Sequence, residues 1–265
     1  VSRADWVNLL YIVGFALFIV GLHMVRGPRT AVRGNQTAAV GMGVALLATL
    51  LDDRIGDWAL IVVGVVIGTA IGVPSARSVK MTAMPQMVAL FNGVGGGAVA
   101  LISLVEFREG EDIPLEALIP IVFAAVIGSI SFWGSNVAFA KLQELAWAKR
   151  RFPPLTPVNV ALAAVTLVVA GIIVAGADAE AVFWLLLLLA GVLGVTAVLP
   201  IGGADMPVVI STLNAFTGLS AAAAGIALDN TALIVAGMLV GASGSILTKQ
   251  MAEAMNRSIG SVFFG

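Results

Sequence analysis

Cysteine does not occur in the 265 residues, so disulfides and thiolate metal sites are excluded. Histidine occurs once, at His23. Charged residues make up 11% of the chain, against about 25% in an average soluble domain. The net charge of −1 leaves no basic face for nucleic acid. What fills the chain instead is apolar: 60% of the residues are hydrophobic. A water-soluble domain of this length could not hide that much apolar surface, and lipid is the solvent that suits it. In lipid the backbone must satisfy its own polar groups, which leaves helices or a closed barrel. The apolar runs are about 17–25 residues long, the length of a helix crossing ~30 Å of hydrocarbon and too long for barrel strands of ~10 residues. The expected fold class is therefore all-α, a polytopic integral membrane bundle of about nine transmembrane helices.

The runs fall near 6–25, 36–51, 58–73, 85–105, 115–140, 158–176, 181–199, 207–227 and 231–248. Each break carries charges, Pro or Gly. The first run ends in His23-Met24-Val25-Arg26 with no small-residue cleavage pattern, so it reads as a retained span and not a signal peptide. The chain starts at Val1, which reads as loss of an initiator Met. With the N-terminus outside and the spans alternating, the inside segments hold eleven basic residues: Arg26, Arg29, Arg33, Arg77, Lys80, Lys141, Lys149, Arg150, Arg151, Lys249 and Arg257. The outside segments hold three, Arg3, Arg54 and Arg108, among acids such as Asp52, Asp53, Asp57, Glu106, Glu109 and Glu111. The positive-inside rule then places the C-terminus in the cytoplasm.

Small residues recur at helical spacing. Gly64, Gly68 and Gly72 form one stripe, and Gly237, Gly241 and Gly244 another. Such faces allow close helix packing. A run from Gly93 to Ala98 spells G-x-G-x-x-A, the dinucleotide fingerprint, but it lies inside a predicted span without the preceding strand that the fingerprint needs.

Two segments repeat the pattern M-P-x6-N: Met84 to Asn92 and Met206 to Asn214. Gly96 and Gly218 each follow their Asn by four residues. Pro suits a first helical turn, and seven residues at 1.5 Å place each Asn roughly 10 Å along its helix. A carboxamide in lipid needs partners. Two at equal depth either bond neighbouring helices separately or share one polar cavity. Ser211, Thr217 and Gly218 share a face with Asn214, and the fifth span adds Ser129, Ser131, Ser135 and Asn136. Each hydroxyl alone has a local use, bonding its own i−4 carbonyl. Together with the two Asn they could line a thin wet path. No ionisable residue is expected near mid-membrane. Asp205 stands at the inside mouth, before Pro207, and His23 lies near the inner end of its span.

The stretch from Ile201 to Asn214, IGGADMPVVISTLN, closely resembles the membrane domain of the β subunit of proton-translocating nicotinamide nucleotide transhydrogenase. The segments Lys80–Pro85, Gly134–Leu142 and Ala254–Ser258 resemble it too, and the likeness runs from about Tyr11 to the C-terminus. The resemblance implies an enzyme passing hydride from NADH to NADP⁺, driven by protons. This chain would hold the proton path. The chain ends at Phe263-Phe264-Gly265, where the family's NADP(H)-binding domain begins, so residues 1–265 read as a membrane domain unable to transfer hydride alone. NADP(H) and NAD(H) would bind in soluble domains, with no cofactor, catalytic residue or metal here. The implied partners are the α-subunit membrane helices, the NADP(H)-binding domain, an NAD(H)-binding subunit and a second assembled unit. A bacterial inner membrane is the implied location.

Carried over by position, Asn214 matches a polar residue of the family's proton path and Asp205 an acid at its cytoplasmic end. Gly134-Ser135 and Gly241–Gly244 match small-residue helix faces. Asn92 departs from the family, which often has His there. Asn has no usable pKa, so the titrating group would come from a partner helix. The path expected is Asn92, Asn214, Ser135, Ser211, Thr217 and Asp205. Two other readings fit the residues taken alone: a proton-coupled secondary transporter of a small solute, which repeats and Gly-rich spans permit, and a membrane scaffold that docks subunits.

Overall fold

The computed structural model describes residues 3–52, 55–110, 112–148, 153 and 155–264. Asp53, Arg54, Glu111, Lys149, Arg150 and Arg151, which entered the charge argument, lie outside the described residues. Everything regular among the described residues is helical, in two compact units, Val1–Ser78 and Val79–Gly265.

The first unit contains α1 (Arg3–Val25), α2 (Ala31–Leu50) and α3 (Trp58–Ser78). α1 and α2 form a hairpin whose backbones touch through glycine. A Cβ on Gly14 would lie 3.1 Å from the Gly41 carbonyl oxygen, and one on Gly21 would lie 2.9 Å from that of Gly34. Tyr11 Oη meets Thr49 Oγ1 at 3.1 Å across the same pair. α3 buries no residue. A Cβ at Gly64, Gly68 or Gly72 would meet nothing of α1 or α2 within 4 Å, so this stripe packs against neither helix of its own unit.

The second unit contains α4 (Met84–Glu109), α5 (Leu115–Leu142), α6 (Thr156–Val174), α7 (Glu180–Val198), α8 (Met206–Ala227), α9 (Thr231–Ala254) and the short α10 (Ile259–Phe264). α5 is the hub, packing on α4, α7 and α8, while α8 packs on α9 and α6 on α7. Again glycine permits the approach. A Cβ on Gly194 would sit 2.5 Å from the Ile130 carbonyl oxygen, and one on Gly134 would sit 3.1 Å from Leu213 Cδ2. The helix ends follow local rules. Asn230 caps α9 by accepting from the Leu233 N–H at 3.0 Å. Ser258 and Ser261 exchange backbone and hydroxyl bonds at the start of α10.

Among the described residues each of the nine predicted runs coincides with a helix, and eight of the nine are long and apolar enough to cross a membrane. α2 is the exception, because its first two turns carry Arg33, Gly34, Asn35, Gln36 and Thr37. The outer surface is that of a lipid-facing bundle: Leu167 is 70% exposed and Leu188 64%. In water such a surface would be an aggregation site; in acyl chains it costs nothing.

Candidate functional site: a polar seam between glycine-crossed hairpins

The M-P-x6-N repeat is structural. Each copy is preceded by an extended residue (Lys80, Gly202) and a three-residue 3-10 turn (Met81–Ala83, Gly203–Asp205) before Met-Pro opens the long helix. Both helices then cross their successors at the repeated glycine. A Cβ on Gly96 would meet the Gly128 carbonyl oxygen at 2.9 Å and the Phe132 nitrogen at 3.1 Å. A Cβ on Gly218 would meet the Gly237 carbonyl oxygen at 2.9 Å and the Gly241 nitrogen at 2.5 Å. The α4–α5 and α8–α9 hairpins thus share one crossing register, in which Gly128 corresponds to Gly237 and Phe132 to Gly241.

That register decides the fate of the two Asn residues. Asn92 Nδ2 donates to Ser135 Oγ at 2.8 Å and to Ser131 Oγ at 3.3 Å, both on α5. The corresponding positions on α9 are Val240 and Gly244, which carry no hydroxyl. Asn214, half-buried, accordingly makes no side-chain hydrogen bond among the described residues. Asn92 and Asn214 were expected either to bond neighbours separately or to share a cavity. Of the two, only Asn92 has side-chain partners among the described residues.

Ser131 carries the seam onward. It is fully buried, and its Oγ lies 2.6 Å from Thr217 Oγ1 and 2.9 Å from the Leu213 carbonyl oxygen; Thr217 Oγ1 lies 3.1 Å from that same carbonyl. Each hydroxyl has one proton to give. Ser131 can donate to Thr217 while Thr217 donates to Leu213, or Thr217 can donate to Ser131 while Ser131 donates to Leu213. Both arrangements satisfy every group, so reversing the direction of this short chain strands no buried donor. The seam joins α4, α5 and α8 in one run: Ser135, Asn92, Ser131, Thr217.

The remaining expected residues are placed elsewhere. Ser211 turns to α9, donating to the Gly244 carbonyl oxygen at 3.1 Å and lying 3.1 Å from Thr248 Oγ1, which donates to it. Ser211 and Thr217 therefore serve different helix contacts although they share a helix with Asn214. Asp205 sits in the 3-10 turn before α8 and pairs with Arg257 at 3.4 Å. Its side chain is only 14% exposed, against 43% for Arg257. Gly237, Gly241 and Gly244 all abut α8, at Ala222, Leu219 and Ala215. Ser129 donates to the Leu187 carbonyl oxygen of α7, and Asn136 to its own i−4 carbonyl, that of Phe132.

Ser131, Thr248 and Arg257 were not singled out as site residues by sequence reasoning. Ser131 was visible only as one of four polar residues in the fifth span, and Arg257 as an inside basic residue and part of Met255-Asn256-Arg257-Ser258. Thr248 had no signal beyond standing four residues after Gly244.

The glycine run Gly93–Ala98 is interior to α4, and the described residues contain no strand to precede it. Gly93 lies against Ser135 and Gly97 against the Phe132 ring. A helix packed on that face has no room for a pyrophosphate, so the run does not fit a nucleotide.

A family model described as the NAD(P) transhydrogenase beta subunit matches residues 7–265. The NAD(P) transhydrogenase subunit beta of Rhodospirillum rubrum is 41% identical over 263 residues, an alignment covering 96% of this chain and 57% of the relative. The same-named protein of R. rubrum strain ATCC 11170 matches with the same identity and coverage. The chain thus spans little more than half the length of the curated relatives it matches. With a polar seam inside an apolar bundle, and a family model matching nearly end to end, the chain belongs to the NAD(P) transhydrogenase beta subunit family.

Proposed function

We propose that this chain is the proton-conducting membrane domain of a proton-translocating NAD(P) transhydrogenase, coupling proton passage to hydride transfer from NADH to NADP⁺ in the whole enzyme. The observation that carries the reading is the polar seam of Asn92, Ser131 and Thr217 across three packed helices, in which the Ser131–Thr217 link between α5 and α8 can run in either direction while the Asn92 amide only donates. Family membership supplies the reaction. No feature of the bundle favours the solute-transporter reading over it.

In this reading the N-terminus is outside and the C-terminus is cytoplasmic. A proton enters from outside and passes through water and the hydroxyls of Ser131, Ser135 and Thr217 to the level of Asn92 and Asn214. Neither carboxamide titrates, so each orients water or bonds a carrier. The titrating group comes from a membrane helix of the α subunit, which packs where Asn214 makes no side-chain hydrogen bond to the described residues. The proton leaves past Asp205, where the NADP(H)-binding domain docks, and the NAD(H)-binding subunit completes the assembly. Ser211, bonded to Gly244, keeps α8 and α9 in register beside the path. The protonation state at the Asn level biases docking of the NADP(H)-binding domain, and nucleotide state shifts proton affinity in return. The assembled unit is a homodimer in a bacterial inner membrane.

The test is NADPH-driven proton uptake, with an NAD⁺ analogue as acceptor, by the complete enzyme in liposomes. Ser131→Ala is expected to slow uptake at least about tenfold, since positioned proton relays contribute on the order of 10²–10⁴ in rate. Normal uptake by an assembled Ser131→Ala enzyme would move the path away from the seam.

A further inference from the structure

At the Asp205 end of the second unit a small polar cavity of about 80 Å³ lies where α6, the turn before α8 and the segment after α9 meet. Its polar walls are Thr156, Asn159, Asp205 and Arg257, and Val262 and Phe263 also line it. Asn159 Nδ2 donates to the Thr196 carbonyl oxygen of α7 at 3.5 Å. Its Oδ1 is buried and has no hydrogen-bond partner among the described residues. Turning the amide over would strand the nitrogen and set the oxygen against the Thr196 carbonyl oxygen, so in either orientation at least one polar atom of Asn159 remains to be satisfied. A buried amide oxygen without a partner is rare in native proteins, and an ordered water is the usual partner. A water needs at least ~10–15 Å³ of cavity space and two to four polar contacts, so the cavity has room for two.

We propose that Asn159 anchors a water pair linking the bundle to Asp205, which makes it a positioning residue of the proton exit. The inference rests on the reading of Asp205 as the exit given above. One water donates to Asn159 Oδ1 and passes its second hydrogen toward the Asp205 carboxylate. The Arg257 guanidinium, 3.4 Å from that carboxylate and also donating to the Ser261 carbonyl oxygen at 3.4 Å, fixes the far wall. The Thr156 hydroxyl supplies a further contact for the second water. Asn159 touches no proton itself. It sets which way the water points, so a proton leaving the seam finds an ordered acceptor next to Asp205.

The test uses the complete enzyme in liposomes, with Asn159→Leu, Asn159→Ser and Asp205→Asn compared for NADPH-driven proton uptake and its solvent isotope effect. Leu removes the oxygen at similar volume; Ser keeps an oxygen and leaves more room for water. Asn159→Leu is expected to slow uptake about tenfold and raise the solvent isotope effect, with subunit assembly and nucleotide binding unchanged, and Asn159→Ser to restore both. A merely structural Asn159 would leave the isotope effect where it was. Normal uptake in Asn159→Leu, with uptake lost in Asp205→Asn, overturns the water anchor and leaves the exit at Asp205. Normal uptake in Asp205→Asn overturns both. Should Asn159→Leu fail to assemble, Thr156→Val carries the same expectation, and unchanged uptake in it overturns the proposal. A structure of the full enzyme at about 2 Å must also show water within hydrogen-bond distance of Asn159, ~2.7–3.2 Å; a dry cavity there overturns the proposal as well.

Discussion

Ser131 and Thr217 stand on different helices with their hydroxyl oxygens 2.6 Å apart, and both reach the one carbonyl oxygen of Leu213. Because the two share an acceptor, their contributions to stability are coupled. Ser131→Ala and Thr217→Val should each destabilise the bundle by about 1 kcal/mol, and the double variant by less than the sum, with a coupling of at least about 0.5 kcal/mol. Denaturation of the four proteins in detergent measures this. Strict additivity would mean the hydroxyls do not share a network.

Asn92 and Asn214 should respond differently to removal. Asn92→Ala takes from Ser135 its donor among the described residues and from Ser131 one of two, and should cost about 1–2 kcal/mol in the isolated domain. Asn214→Ala breaks no hydrogen bond within the described residues, so its cost there should stay within about 0.5 kcal/mol. In the assembled enzyme Asn214→Ala should nonetheless abolish most proton pumping. Comparing thermal unfolding of the isolated domain with uptake by the complex separates the two roles. Equal destabilisation by both variants in the isolated domain would contradict the register argument.

The glycine stripes make a sharp contrast. A Cβ on Gly237 would run into the Ala222 backbone and lie 2.6 Å from the Gly218 carbonyl oxygen, so Gly237→Ala must push α8 and α9 apart, at about 1–3 kcal/mol. On α3, Gly68 faces open space. Gly68→Ala should leave the isolated domain unharmed or raise its stability by about 0.5–1 kcal/mol through helix propensity. If Gly68→Ala weakens only the assembled complex, the stripe is a contact surface for a partner helix; if it weakens neither, it is not.

Asp205 and Arg257 form a partly buried pair, with Asp205 the more enclosed member. Truncating either alone should cost about 1–2 kcal/mol, more than a surface pair and less than a fully buried one. Arg257→Ala leaves an unpaired carboxylate at 14% exposure and should be the worse of the two single changes. A double-mutant cycle by thermal unfolding, repeated in high salt, checks the order; a coupling that vanishes in salt would demote the pair to a surface contact.

Much of this protein was legible in one dimension. Run length marks nine long helices among the described residues and hydropathy fits eight of them to cross a membrane, because a lipid-exposed segment has no way to satisfy its backbone except within itself. The Met-Pro starts were readable too, since proline at a first helical turn acts locally. The M-P-x6-N repeat announced two like-built helices, and Asn92, Asn214 and Asp205 could be marked before any packing was known. What the sequence could not determine is which polar group meets which. The partners of Asn92 lie 39 and 43 positions away in the chain, and Thr217 lies 86 from Ser131. Those meetings depend on the crossing register of two hairpins, fixed by glycine backbone contacts between helices. The same register gave Asn214 Val240 and Gly244 at the positions equivalent to Ser131 and Ser135 and turned Ser211 to α9, and the fold left a cavity beside Asn159, a residue with no pattern of its own. Helices arise from local and solvent forces that composition encodes directly. Side-chain partners across helices are chosen by close packing, which only the folded bundle decides.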